Sequence, residues 1–143
     1  VIETAARRPR IVVGVDGSEP ARRALLWAAE EARLRDADLE VVHAWQHPTT
    51  TFGLVLPADD RAAAEAYARH VLDVAVEALA GRGLAVEPIL VDGPPARALI
   101  EASAGAALVV VGSRGRGGFR GLLLGSVSGQ AMHHARCPVV VVP

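Results

Sequence analysis

The sequence contains no lysine and no asparagine, and all fifteen of its basic residues are arginine. Chemistry that runs through a lysine amine, whether a Schiff base or the phosphate clamp of a P-loop, is thereby excluded. A single cysteine, Cys137, cannot close an intrachain disulfide. Set before Pro138 at the edge of an apolar run, it reads as a small buried hydrophobe rather than a redox thiol. The sequence also lacks a basic patch or basic helix, and its formal net charge is −1. A nucleic-acid partner or a charged membrane surface is not expected. No apolar run approaches the length of a membrane span and no signal-peptide pattern opens the chain, so a cytoplasmic location is the expectation.

What is present is a regular alternation of strand and helix signals. The chain has 143 residues, about half of them apolar (51 %), enough for one domain with a buried core. Residues 1–9 read as a flexible N-terminal tail and residues 10–143 as a single domain. Residues 11–15 (Ile-Val-Val-Gly-Val) form the short, wholly apolar run of a strand buried on both faces. It stops at Asp16-Gly17-Ser18, where Ser18 is placed to cap a helix and Pro20 suits its first turn. Ala21, Leu25, Ala28 and Ala32 then fall on one helical face. A second strand is expected at 39–44, a surface loop at 45–57, and the longest helix from Asp59 or Asp60 until Gly81 and Gly83 end it. On that helix Ala68, Val71, Leu72, Ala75 and Leu79 line the buried stripe. Arg61, Glu65, Arg69, Asp73 and Glu77 run down the other side as a solvated charge ladder. Strands follow at 86–91, 108–111 and 139–142, separated by helices ending near Glu101 and spanning 126–134. Five buried strands alternating with four helices predict a doubly wound α/β sheet. Such sheets bind ligands beyond the carboxyl ends of their strands, where the strand order reverses.

The most informative stretch is residues 112–126, Gly-Ser-Arg-Gly-Arg-Gly-Gly-Phe-Arg-Gly-Leu-Leu-Leu-Gly-Ser. It follows one apolar strand and runs into a helix. Its glycines leave backbone N–H groups unshielded, Arg114 and Arg116 add mobile positive charge, and Gly125-Ser126 opens a helix whose first N–H groups and dipole favour an anion. A polyphosphate is the ligand these features suit. If strands one and four are neighbours, Asp16 meets this loop.

Competing motifs fail in detail. A Walker loop requires lysine. A dinucleotide fingerprint starting at Gly115 requires glycine at 120, where Arg120 stands, and no Gly-x-Ser-x-Gly elbow surrounds Ser113 or Ser126. His133 and His134 are adjacent, diverge by about a hundred degrees on a helix, and cannot chelate one metal together. His43, inside a strand, reads as a satisfied core histidine. Trp27 and Trp45 read as packing residues, with Trp45 at a strand end that a ligand ring could reach.

What fits is Gly112-x2-Gly115-x9-Gly125-Ser126. This resembles, position for position, the ATP-binding motif Gly-x2-Gly-x9-Gly-Ser/Thr of the universal stress protein family. Residues 12–18 (Val-Val-Gly-Val-Asp-Gly-Ser), 41–45 (Val-Val-His-Ala-Trp) and 137–142 (Cys-Pro-Val-Val-Val-Val) are similar to its opening, second and closing strands. The resemblance implies a five-stranded parallel sheet of order 3-2-1-4-5 with helices on both faces, of the adenine nucleotide alpha hydrolase-like type. It also implies a homodimer, commonly formed through the final strand. Here that strand, Val139–Val142, carries no charge to blunt an exposed edge.

Site roles follow from the same resemblance. Gly14 and Asp16 lie beside the nucleotide, and Asp16 would indirectly help hold a divalent ion, Mg2+ or Mn2+. Ala44 takes the position whose backbone reads the adenine edge. Gly112, Ser113, Arg114, Gly115 and Arg116 wrap the ribose and phosphates. Gly125, Ser126, Val127 and Ser128 present N–H and hydroxyl donors at the helix start. The expected function is that of a cytoplasmic, ATP-binding stress-response regulator with at most slow hydrolysis and no catalytic residue. Two alternatives are an adenylating or ATP-cleaving enzyme, whose Ser-Gly-Gly-x-Asp-Ser-type loop is missing after the first strand, and an interaction module that has lost nucleotide.

Overall fold

The computed structural model describes residues 7–46, 50–51, 54–55, 58–115 and 124–143. Their elements, in chain order, are β1 (Arg10–Gly14), α1 (Glu19–Leu34), β2 (Asp38–Trp45), β3 (Thr50–Thr51), β4 (Leu54–Val55), α2 (Ala58–Glu77), β5 (Val86–Asp92), α3 (Pro95–Ala102), β6 (Leu108–Gly112), α4 (Ser126–His134) and β7 (Val139–Val142). Five strands form one parallel sheet in the order β5-β2-β1-β6-β7, which is the order 3-2-1-4-5 when its own strands are counted. The segment 45–57, expected to be loop, contains the two-residue antiparallel pair β3–β4. A ladder this short carries too little hydrophobic periodicity to announce itself in sequence.

The apolar runs of β1 and β6 are buried because both faces of the sheet are covered. One face brings Ile11 and Val13 of β1, Leu39 and Val41 of β2, and Leu108 and Val110 of β6 against Ala24, Leu25, Ala28 and Ala32 of α1, and against Leu72 of α2 and Leu79 beyond it. The other packs Val12, Val42, Val109 and Val111 on Ala98 and Leu99 of α3, with Val127 of α4 alongside. Period-two alternation within each strand thus sends successive side chains to different helix layers. The predicted stripe on α1 is the buried one. On α2 the charge ladder is exposed; within it Arg69 and Glu65 make a weak contact at 3.7 Å, and Arg61 turns to Asp92 of β5.

Part of the expected tail is described and is held in place. Arg8 pairs with Asp36 at 2.5 Å, and the Pro9 carbonyl accepts from the Asp38 N–H at 2.8 Å. Cys137 is half-buried beside the α3/α4 layer, and burial pushes its thiol pKa up against smaller opposing pulls from Arg10 and the Val109 backbone. That agrees with a packing role.

Candidate nucleotide site

β1 and β6 are neighbours in the sheet, yet the chain leaves them for opposite faces: α1 follows β1 on one side, and α4 follows β6 on the other. The strand order therefore reverses between them, and a crevice opens at their carboxyl ends. It has a volume of about 290 Å³. Its walls bring together Gly14, Asp16, Ala44, Gly112, Arg114, Gly115, Gly125, Ser126, Val127 and Ser128, ten of the twelve residues picked out from sequence. Ser113 lies just behind the wall as a hinge of hydrogen bonds, and Arg116 is outside the described residues.

Two close approaches explain the glycines. A Cβ at Gly112 would come within 2.8 Å of the Pro20 backbone, so glycine lets β6 pass under the start of α1. A Cβ at Gly115 would come within 2.5 Å of Asp16 Oδ2. The acidic turn after β1 and the loop after β6 therefore touch, as expected if their strands were neighbours. The other Asp16 oxygen, Oδ1, accepts the Ser18 N–H at 2.9 Å.

The far end of the loop is fixed by a small network around Ser113. Its N–H donates to the Val142 carbonyl at 2.7 Å, and its carbonyl accepts from the Gly125 N–H at 2.7 Å. The Ser128 hydroxyl, buried, donates to the carbonyls of Ser113 (3.2 Å) and Gly125 (3.0 Å). That hydroxyl is spent on holding the loop closed, and the donor Ser128 can offer a ligand is its backbone N–H. Gly125 is the N-cap of α4 and supplies no side-chain cap, and the first turn contains no acidic residue. The opening N–H groups of α4 thus stand at the crevice with their partial positive charge uncompensated by the helix's own side chains.

At the other end of the crevice lies Ala44. Backbone direction alternates along β2. Leu39 N–H bonds to β5, and Trp45 accepts from Gly93, whereas Asp38 and Val42 bond toward β1. By the same alternation the N–H and C=O of Ala44 point toward β1. β1 has already ended at Gly14, and among the described residues neither group has a partner in the sheet. A donor and an acceptor side by side therefore face the crevice. The buried His43 imidazole donates from Nδ1 to the Val15 carbonyl at 2.7 Å, so it is a satisfied histidine. The Trp45 ring is covered by the Arg61 guanidinium, 5.3 Å from its centroid, and Arg61 pairs with Asp92. It is not among the crevice walls.

Sequence reasoning missed the apolar walls Val15, Ala21, Val42, Pro95, Leu99 and Val111. Most belong to core periodicity and carry no separate signal. Pro95 is the exception, because Gly93-Pro94-Pro95 marks a helix start at the carboxyl end of a sheet strand, which is the ligand side of such a fold. Among the described residues no group of three or more His, Cys, Asp and Glu is placed to hold a metal ion, and no helix is long and apolar enough to cross a membrane.

Known proteins resemble this chain in sequence and fold. Residues 7–143 match the model of the universal stress protein family. A universal stress protein of Mycobacterium tuberculosis is 42 % identical over 136 residues, covering 92 % of this chain and 44 % of the relative. The chain thus spans less than half the length of that relative. Among solved structures, a universal stress protein from Archaeoglobus fulgidus in complex with dAMP is 28 % identical, with TM-score 0.71 and coverage of 94 % and 98 % of the two chains. One in complex with cAMP is also 28 % identical, with TM-score 0.71 and coverage of 96 % and 99 %. The protein from Lactobacillus plantarum, 22 % identical with TM-score 0.80 over 96 % and 99 % of the chains, shares the fold. Because the family model spans residues 7–143, almost the whole chain, this chain is a member of the universal stress protein family.

Proposed function

We propose that the crevice binds an adenine nucleotide, with ATP as the physiological ligand, and that the protein acts in the cytoplasm as a nucleotide-dependent stress-response regulator. The observation that carries the reading is the uncapped start of α4 meeting the Gly112–Gly115 turn and Asp16 in one cavity. The phosphates belong at the α4 N–H groups, beside Arg114. The base belongs against Ala44, where a backbone N–H and C=O complement the N1 acceptor and N6 amino group of adenine. Hypoxanthine and guanine present the opposite pattern and would be refused. The dAMP and cAMP complexes of the two relatives at 28 % identity support the adenine class.

The residues present fit a phosphate-borne cation better than a resident one. Asp16 is the one carboxylate among the described walls. Mg2+ or Mn2+ arriving with ATP would need just such a single carboxylate, its other ligands being phosphate oxygens and water. Arg114 and Asp16 are the only titratable groups among those described walls, which hold no histidine or glutamate to activate water. Hydrolysis should be slow at most.

A second copy of the chain is the partner we assign to β7. That strand ends the sheet with four half-buried valines, and pairing its free edge with another copy satisfies the backbone groups it exposes. Light scattering behind size exclusion should report a dimer at micromolar concentration, and a monomer would sink that assignment. The nucleotide reading is tested by calorimetric titration with ATP, ADP and AMP, and by mass spectrometry of ligand carried through native purification. Absence of binding by all three nucleotides would overturn it.

A further inference from the structure

We propose that His43 is a positioning residue for base recognition: it captures the Val15 carbonyl, stops the β1–β2 ladder one rung short, and so keeps the Ala44 N–H and C=O open to the base. The inference rests on the adenine reading above. The ladder's own geometry supplies the argument. The Val15 N–H donates to the Val42 carbonyl at 2.9 Å, a normal parallel rung. In a parallel ladder the next rung would run from the Ala44 N–H to the Val15 carbonyl. That bond is not made. The Val15 oxygen instead accepts from His43 Nδ1 at 2.7 Å.

A carbonyl only accepts, so Nδ1 carries the hydrogen in this bond. His43 lies on the same sheet face as Leu39 and Val41, four and two residues before it, so its ring approaches Val15 from that face rather than in the plane of the sheet. The oxygen is drawn out of line with the Ala44 N–H. Because the imidazole is buried, leaving Nδ1 without this partner would be costly, and the carbonyl is held firmly. Ala44, lining the crevice, keeps an adjacent donor and acceptor that the sheet would otherwise have consumed.

The test compares wild type with His43→Leu, which has no donor, and His43→Asn, whose amide can restore one. AMP, IMP and inorganic tripolyphosphate are titrated calorimetrically against each. His43→Leu should lose on the order of tenfold in AMP affinity, the worth of about one contact. Its preference for AMP over IMP should shrink correspondingly, and His43→Asn should recover most of both. Tripolyphosphate, which probes only the α4 cradle, should bind all three alike. A companion measurement needs no variant: by amide exchange in free wild type, Ala44 should exchange far faster than Val42 and become protected when AMP is added. Full AMP-over-IMP preference in His43→Leu, or equal protection of Ala44 and Val42 in the free protein, overturns the role of His43. Wild type that binds no adenine nucleotide overturns the site reading itself.

Discussion

Two helices begin at the carboxyl ends of the two central strands, α1 after β1 and α4 after β6, and they treat their first turns in opposite ways. At α1 the Ser18 hydroxyl accepts the Ala21 N–H at 3.3 Å, Asp16 accepts the Ser18 N–H, and Glu19 places a carboxylate in the first turn. At α4 the cap is Gly125, which makes no side-chain cap bond, and no acid follows in the first turn. One helix start carries its own anions; the other is left without. A glycine cap forgoes little intrinsic stability, only a few tenths of a kcal/mol against serine. On the proposed reading it gives access, because neither a side-chain cap nor a first-turn acid of α4 competes with an incoming phosphate. On that reading the phosphates sit at α4, and α1 is a framework whose acidic turn faces them.

The largest effect expected from breaking this division is at Gly115. A glutamate there would put a Cβ within 2.5 Å of Asp16 Oδ2 and a second carboxylate in the phosphate cradle. Gly115→Glu should lose at least about a hundredfold in ATP affinity, since both steric exclusion and like-charge repulsion act on one spot. The sheet lies behind this turn, so circular dichroism and cooperative melting should persist. ATP binding at parental strength would mean that the loop after β6 does not hold the phosphates.

Next comes the conversion of α4 into a helix like α1. A Cβ at Gly125 has ordinary room, its nearest neighbour being the Arg114 Cα at 3.4 Å. Gly125 also has the extended conformation of a usual N-cap, φ −74° and ψ 167°. Gly125→Asp should therefore cap α4 with its own carboxylate. The expected outcome has two signs: free-protein stability rises by a few tenths of a kcal/mol, while ATP affinity falls about tenfold or more. Calorimetry and chemical denaturation on the same preparation read both. A fall in both quantities would show that the glycine serves packing rather than access.

The same contrast explains what could be read from the sequence and what could not. Ser18 and Pro20 announced the α1 start because capping uses particular side chains at particular places. The α4 start was legible only as spacing, Gly112-x2-Gly115-x9-Gly125-Ser126, since an absent cap is silent by itself. The five strands were legible because buried parallel strands read as uninterrupted apolar runs. The meeting of Asp16 with Gly115 depended on which strands are neighbours, a long-range fact that only topology supplies. The Ser128 hydroxyl looked like a ligand donor, yet it turned inward to the Ser113 and Gly125 carbonyls. A hydroxyl's choice between backbone and ligand is decided by loop geometry, which residue identity does not encode. Val42 and Leu99 are indistinguishable in sequence from ordinary core, because a crevice wall and a core face use the same residue types.

A smaller effect should follow from weakening α1. Ser18→Ala removes the side-chain cap and should cost about 1 kcal/mol, lowering the melting temperature by roughly 3–5 °C. Nucleotide affinity should change by less than about twofold, because the phosphates are assigned to the other helix. A tenfold loss of ATP affinity in Ser18→Ala with unchanged melting would erase the distinction between the two helix starts.

The smallest effect separates charge from capping at α1. Glu19 is well exposed, and its contacts to Arg22 and Arg23 are long, 3.8 and 3.9 Å. Its contribution is therefore mostly its position in the first turn, where a carboxylate faces the positive end of the helix dipole. Glu19→Gln should cost less than about 0.5 kcal/mol in low salt, and the difference should shrink as salt screens it. For the nucleotide the sign reverses: removing a negative charge near the crevice should leave ATP affinity unchanged or slightly raised. A denaturation series and a titration series across ionic strength check both. If Glu19→Gln weakened ATP binding, α1 would be contributing to the ligand site through its acidic turn, and the two helix starts would have to be treated as one.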